Sequence, residues 1–437
     1  MKSSFQTIIL VVFIIAFVVA IAIFSGLAGS GSSQTSTELS GIVTIWGTLP
    51  TESMQEYLNN FNSGRNDYSL NYVQLSPDLI AQSITSALAE GTPPDIVLVN
   101  SEIISQFKDK LYPIPYSLFS ERLFRDTYTD GSQLFLDAEG VRAVPLVIDP
   151  LVVYYNKDIL ARANYALPPR SWDDVLSSVG VLTTRDIARG IDRSTIALGE
   201  ADNVLHFRDI LSALFLQAGN PIVQYDATRN VGVSQLAGGT VAGEEVSPTQ
   251  SALSFFLSFA DPNLAPYSWN RGLPTSLDMF LSGRLAFYIG RASELFAIQA
   301  QNPNLNFDVM ELFQPANAVR PITYGSFIGV SVMKSAPNFA AAYDFAARVS
   351  ADPTIADFFS KQLSMPPARR SLLLVQQQNP YVDVFFKAAL SAFAWRDPNP
   401  VATEAIFRDM ITSVTSGRNN VGTALNEATQ RLQSYIR

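Results

Sequence analysis

Cysteine is absent from the 437 residues, and histidine occurs once, at His206. Without thiols there is no disulfide, no thiolate metal site, no cysteine nucleophile and no lipid-modified N-terminal cysteine. A single imidazole gives a His-rich metal site or a Ser-His-Asp triad little to work with, so no metal and no cofactor are expected. His206 itself reads as a helix-surface or packing residue. Charge is scarce as well, at 16 % of residues, with a formal net charge of −9. No basic run occurs anywhere, which argues against nucleic acid as a partner, because phosphate binding needs clustered Lys and Arg. There is no internal repeat.

What is present is apolar mass, 47 % of the chain, over a length too great for one ordinary core. Two domains are therefore expected. Residues 8–28 are apolar apart from Ser25 and Gly26, and Lys2 is the only side-chain charge before them. About twenty helical residues at roughly 1.5 Å rise span a hydrocarbon core of about 30 Å. A secretory apolar region is usually shorter, about 7–15 residues. Residues 1–28 are accordingly expected to be a retained signal anchor, a single transmembrane helix with Lys2 inside and the rest exported. Gly26-Leu-Ala28 also offers a small-x-small cleavage site, which leaves a secreted form cut near Ala28 as the alternative. Residues 29–40, rich in Gly, Ser and Thr, read as a flexible linker off the membrane.

The globular part opens with Gly41-Ile-Val-Thr-Ile-Trp46, an alternating β-rich run. A helix is expected from Thr51 or Glu52 to Phe61, a strand over 68–75, and an amphipathic helix over 76–89 with Ser76 as its cap and Pro77 in its first turn. Ile96 to Val99 is a short buried strand. Strand, helix, strand, helix, strand in that order implies a parallel sheet with crossovers. Further on, helices are expected over 201–218 and 248–260, and residues 220–247 between them look like a hairpin insertion. A short helix over 276–282 leads into a strand over 283–290. Residues 324–333 read as a strand and 338–350 as a helix. The last third is helical and ends with 421–436.

The most specific run is Val144-Pro-Leu-Val-Ile-Asp-Pro-Leu-Val-Val-Tyr-Tyr-Asn-Lys-Asp158, followed by Pro168-Pro-Arg-Ser-Trp-Asp-Asp174. It places a long apolar strand, a helix start at Asn156 or Asp158, a proline stop, and a second helix capped by Ser171. This arrangement resembles the family 1 extracellular solute-binding proteins, the maltose-binding-like receptors of ABC importers. Other segments resemble the same family in the same order. They are Gly41 to Trp46, Ala89-Glu-Gly-Thr-Pro-Pro-Asp-Ile96, Phe280-Leu-Ser-Gly-Arg-Leu-Ala-Phe287, Tyr324-Gly-Ser-Phe-Ile-Gly-Val-Ser331 and Ser416-Gly-Arg-Asn-Asn-Val-Gly-Thr-Ala-Leu425.

The resemblance implies an α/β, two-lobed periplasmic-binding-protein fold of type II. Lobe 1 is expected to hold residues 41–148 and 327–365, and lobe 2 residues 149–326 and 366–437. The chain would cross between them near 148–150, 324–327 and 366–367. Ligand would sit in the cleft, at strand ends and helix N-termini. The resemblance also implies a monomer that docks on ABC permease subunits and carries a polar small-molecule solute, expected to be a sugar or oligosaccharide.

Each candidate ligand residue has a structural alternative. Trp46 ends the first strand beside Gly47 and offers an indole face, or it is core. Asn100 and Glu102 follow the third strand; a carboxylate matching Glu102 holds sugar hydroxyls in relatives, while a helix cap and first-turn acid explains both equally. Asp149 lies inside an apolar strand at the first crossing, where an acid needs a partner or a wet cleft. Glu200 resembles another sugar-contacting carboxylate, with Asp202 and Asn203 as alternatives and plain capping as the structural reading. Gly290 and Arg291 end a strand where relatives place a tryptophan two residues after the glycine, but Ala292 stands here. Arg291 supplies a planar donor fork or a stacking face, or pairs with Glu294, and Trp269, in the loop over 266–270, is a replacement aromatic. Tyr324 and Gly325 sit at the second crossing. Arg408 matches a ligand-side arginine, yet Glu404 occupies the neighbouring aromatic position and an i, i+4 pair explains Arg408 as well. Trp172 reads as lobe packing.

These residues point first to a non-catalytic, membrane-tethered receptor. A surface sensor or adhesion module of the same fold is the second reading. The third is an extracellular glycosidase using carboxylates such as Glu102, Asp149 and Glu200, which would need a pair about 5–5.5 or 6.5–9.5 Å apart.

Overall fold

A computed structural model describes residues 39–64, 67–188, 190–226, 231–238 and 247–436. The expected anchor and all but the last residues of the linker lie outside them. Among the described residues no helix is long and apolar enough to cross a membrane.

Branched residues at alternate positions bury Val43 and Ile45 in β1 (Ile42–Gly47). This strand pairs in parallel with β2 (Ser69–Gln74) on one side and β3 (Ile96–Val99) on the other. Helices Thr51–Gly64 and Ile80–Glu90 make the connections, as the parallel pattern requires. The second of these was expected from Ser76. It begins at Ile80, because the Ser76 carbonyl accepts from the Leu79 and Ile80 N–H groups and closes a turn first, and the cap residue Leu79 has no side-chain acceptor.

A small hairpin of β4 (Leu136–Asp137) and β5 (Gly140–Val141) precedes the long β6 (Val144–Asn156), which is buried at all but one position. Then come β7 (Thr184–Arg185), β8 (Ile191–Ile196), the hairpin of β9 (Val223–Asp226) and β10 (Val231–Ser234), β11 (Leu285–Arg291), β12 (Phe307–Glu311), β13 (Thr323–Val332) and the short β14 (Ala392–Phe393). The main sheet runs β2-β1-β3-β13-β6-β11-β8-β7, with β12 on β6 and β14 on β13.

This single sheet serves two separate cores. Along β6, Val147 and Ile148 belong to the first core and pair with β13, whereas Leu151 to Tyr154 belong to the second and pair with β11 and β12. Asp149 and Pro150 fall at the change-over. Along β13 the chain returns: Tyr324 packs in the second core and Phe327 in the first.

A third crossing was expected at 366–367, and here the structure differs. The Pro366 carbonyl accepts from the Ile148 N–H at 2.8 Å, the Ala368 N–H donates to Leu146 at 3.0 Å, and Ala368 and Leu373 pack in the first core. The prolines border β6, where their missing N–H groups leave no ladder bond unmade. The chain changes core later, along helix Pro380–Leu390, whose Phe385 and Ala388 face the second core and Phe386 and Ala389 the first.

The Ser171 hydroxyl and the Asp174 carboxylate form a reciprocal capping box at the start of helix Trp172–Leu182. Trp172 packs against Phe255 and Phe313 and donates to Gln217 at 2.7 Å. The helix expected from residue 201 starts only at Phe207, after His206 in a left-handed conformation (φ 59°). The preceding residues are held instead by tertiary bonds, with the Asn203 amide donating to the carbonyls of Asn270 and Leu273 at 2.9 Å each.

Candidate functional site

The change of core at Asp149 and Tyr324 leaves a cleft between helix Ser101–Phe107 on the first lobe and helix Phe207–Gln217 on the second. Asn100 does not face it with a free amide. Its side-chain oxygen accepts from the Glu102 and Ile103 N–H groups at 3.1 and 2.9 Å, so it is a helix cap. Glu102, in the first turn behind that cap, reaches across and pairs with Arg208 in the first turn of the opposite helix. Among the described residues this is the ion pair that joins the two lobes.

Arg208 is only 16 % exposed, and its other nitrogens lie 3.6 Å from Asp209 and 3.5 Å from Asp397. Burial alone would lower its pKa, but Asp209 and Glu102 reverse that and hold it well above the ordinary value. Asp209 also takes Arg291 from β11. Burial pushes the Asp209 carboxyl up, yet the two guanidiniums outweigh it and leave it below the ordinary carboxylate value. A pair with Glu294 was one of the alternatives for Arg291, and the structure does not make it; Glu294 is bound instead to His206 and, at 2.8 Å, to the Tyr288 hydroxyl. Gly290 makes this possible, since a Cβ there would lie 2.5 Å from a Glu294 carboxylate oxygen. The Tyr154 hydroxyl donates to the Arg291 carbonyl at 2.7 Å and fixes the strand end.

Asp149 is buried with a partner, as an acid in that strand requires. It accepts from the Ser293 N–H at 3.0 Å and the Ser293 hydroxyl at 2.7 Å. Burial pushes its pKa up, against the pull of Arg291. Tyr324 is 3 % exposed, and its hydroxyl stands in the field of Asp209, Arg208, Glu102 and Arg291 without a hydrogen bond among the described residues. Burial raises its pKa, so it stays a neutral donor and acceptor. Gly325 follows it, packed within 3.1 Å of Ala392 and 3.2 Å of Ile148 as measured from an ideal Cβ.

The remaining candidates lie apart from this cluster. Trp46 is half-buried against the first core. Glu200 is buried and pairs with Arg271 at 3.4 Å; burial pushes its carboxyl up. Trp269, expected to offer a stacking face, is fully buried in the second core with its indole N–H on Asn203 at 2.9 Å. Arg408 pairs with Glu404 at 3.1 Å and with Asp202, and lies over the Phe207 ring. Arg208, Asp209, Asp397 and the His206–Glu294 pair were not found from the sequence. Their only local signal was the Arg-Asp doublet at the start of a helix.

A cavity of about 90 Å³ opens beside Glu102 on the first-lobe side, lined by Thr48, Leu49, Leu98, Asn100, Glu102 and Ser326 among others. A larger groove of about 510 Å³ lies elsewhere, between Leu216, Pro221, Arg320 and Phe393. Two of its amides are already spent on structure: Gln217 and Gln314 both donate to the Ile322 carbonyl. Convergent polar groups define a binding site better than volume does, and they are at the cleft.

Comparisons with known proteins agree with this geometry. The family model described as "Bacterial extracellular solute-binding protein" matches residues 47–351. The GacH receptor of Streptomyces glaucescens superposes with a TM-score of 0.68 at 17 % identity, over 91 % of this chain and 99 % of that one. The sugar-binding protein MalE of Xanthomonas citri gives 0.71 at 17 %, over 90 % and 97 %. A cyclo/maltodextrin-binding protein complexed with maltotetraose gives 0.71 at 15 %, over 92 % and 98 %. A Brucella abortus protein whose name calls it a binding protein is 22 % identical over 123 residues, 28 % of this chain and 30 % of that relative's length. With most of the two-lobed fold inside the family match, the chain belongs to the bacterial extracellular solute-binding proteins, which are binding proteins rather than enzymes and whose globular part is extracytoplasmic.

Proposed function

We propose that the chain is the solute receptor of an ABC importer and captures a sugar or oligosaccharide in the cleft. The observation that carries this reading is the placement of Glu102, Arg208 and Tyr324 on both sides of the crossings at Asp149 and Tyr324. Sugar hydroxyls need donors and acceptors side by side, and this set provides both from opposite lobes. Half-buried Trp46 supplies an apolar face at the end of β1 for ring C–H groups. Gly290, Arg291, Asp149 and Gly325 shape the floor, and Glu200 lines the outer part of the second lobe. Solute binds between the lobes and hinge rotation at the crossings closes them, because the closed form contacts it from both sides. The closed receptor docks as a monomer on permease subunits, and the apolar segment at residues 8–28 holds it at the membrane.

The test is a thermal-shift and calorimetry panel that includes maltotetraose, mannotriose and tagatose, each named with a solved structure of similar fold. A solute at 100 times its dissociation constant should add about 2.7 kcal/mol of stability. A panel in which no sugar shifts the transition overturns the reading.

A further inference from the structure

The charges around the cleft are unevenly matched. Its guanidiniums, Arg208 and Arg291, are surrounded by the carboxyl groups of Glu102, Asp149, Asp209, Asp397 and Glu294. Neither guanidinium is free. Arg208 is taken by Glu102, and Arg291 by Asp209. Further out the pattern repeats, with Arg271 on Glu200 and Arg408 on Glu404 and Asp202. A site built for a carboxylate or a phosphate presents uncommitted Arg or Lys donors, since the anion must replace its water shell with charge-assisted bonds. Among the described residues, the groups this cleft leaves uncommitted include neutral hydroxyls, that of Tyr324, on a side chain more than nine-tenths buried, and those of Thr48 and Ser326 at the cavity.

We propose that the cleft takes uncharged polyhydroxy solutes and rejects their carboxylated and phosphorylated counterparts, with Glu102 setting the preference by occupying Arg208. The proposal rests on the carbohydrate-receptor reading and deepens it. A hydroxyl donates to the Glu102 carboxylate and accepts from Arg208 or Tyr324, so it inserts into the lobe-to-lobe pair without upsetting its charge. An anion would have to displace Glu102 from Arg208 and leave that carboxylate facing both Asp209 and the newcomer. Like charges brought together in this way disfavour the complex.

The full chain is titrated by calorimetry with maltotetraose, mannotriose and tagatose, and with glucuronate, galacturonate and glucose 6-phosphate, at one ionic strength. The anionic probes should bind at least about 100-fold more weakly than the best uncharged one. Glu102→Gln, which keeps the shape and frees Arg208, should narrow that gap by roughly tenfold or more, while Glu102→Asp, which keeps the charge, should preserve it. Wild-type binding of any anionic probe as tight as the best uncharged one overturns the proposal and leaves the receptor reading standing. An unchanged gap in Glu102→Gln does the same. If none of the probes binds, both fall together.

Discussion

Asp397 lies outside the wall of the cleft and yet bears on how Arg208 is held. Its Oδ1 accepts from the Thr403 hydroxyl at 2.7 Å and the Asn399 N–H at 3.0 Å, while Arg208 stands 3.5 Å from its Oδ2. Burial nevertheless dominates and pushes the carboxyl from 3.8 up to about 6. A folded-state value above the unfolded one means that the folded protein binds the proton more tightly. The contribution is thus complete below 3.8 and is lost as pH rises through about 6. Asp209 and Glu294 act with the opposite sign: their values are depressed, so their contribution is present above the ordinary range and is lost in acid. Asp397→Asn should therefore gain on wild type by something on the order of 2–3 kcal/mol between pH 4 and 7 in urea denaturation. Parallel pH curves for the two proteins would refute this. Trp269 gives a second residue-scale test. Trp269→Phe leaves the Asn203 oxygen without its donor and should lower stability by about 1–3 kcal/mol with solute affinity unchanged. Affinity lost at unchanged stability would return this side chain to the site. Its loop reads as surface because the bonds that bury it come from residues far away in sequence. Arg208 escaped notice for the same reason, since two of the carboxylates around it, Glu102 and Asp397, are far away in sequence.

At the scale of elements much of the order was legible, because strand and helix periodicities are local. The apolar run of β6, the parallel β1 to β3 and the cap at Ser171 follow from patterns within a few residues. The helix start at Phe207 and the third crossing failed because both are fixed by hydrogen bonds to distant segments, while the start at Ile80 was missed on a local turn closed by the Ser76 carbonyl. Glycines separate the elements by function. A Cβ at Gly325 would come within 3.1 Å of Ala392, 3.2 Å of Ile148 and 3.4 Å of Pro150, wedging β13 from β14 and β6. Gly325→Ala should destabilise by about 1–3 kcal/mol and weaken solute binding, because the strain falls where the lobes rotate. Gly180, in helix Trp172–Leu182, has open space where a methyl group would sit, with nothing within 4 Å. Gly180→Ala should stabilise by about 0.5–1 kcal/mol and leave affinity alone. Thermal melts and calorimetry on both variants check the contrast, and equal effects would show that β13 is not a hinge.

For the whole molecule, the soft direction is set by how few groups connect the cores. β6, β13 and helix Pro380–Leu390 belong to both cores, and Arg396 adds bonds to the Leu134 and Leu136 carbonyls beside β14. Across the cleft the joining pair is Glu102–Arg208. Lobe rotation can break that pair without opening either core, so opening should be cheap compared with unfolding. Amide exchange followed by mass spectrometry resolves the two. The slowest exchange belongs in β6 and β13, where ladder bonds are buried on both sides of the change-over. Saturating sugar should then slow the helices Ser101–Phe107 and Phe207–Gln217 at their first turns, because bound solute holds both against the cleft. Residues 317–320 and Ile322, which line the larger groove, should exchange at the same rate with or without sugar. Protection confined to that groove would move the binding site there. Protection at both helix starts would fix it between the lobes, since no single-lobe contact can slow Glu102 and Arg208 together.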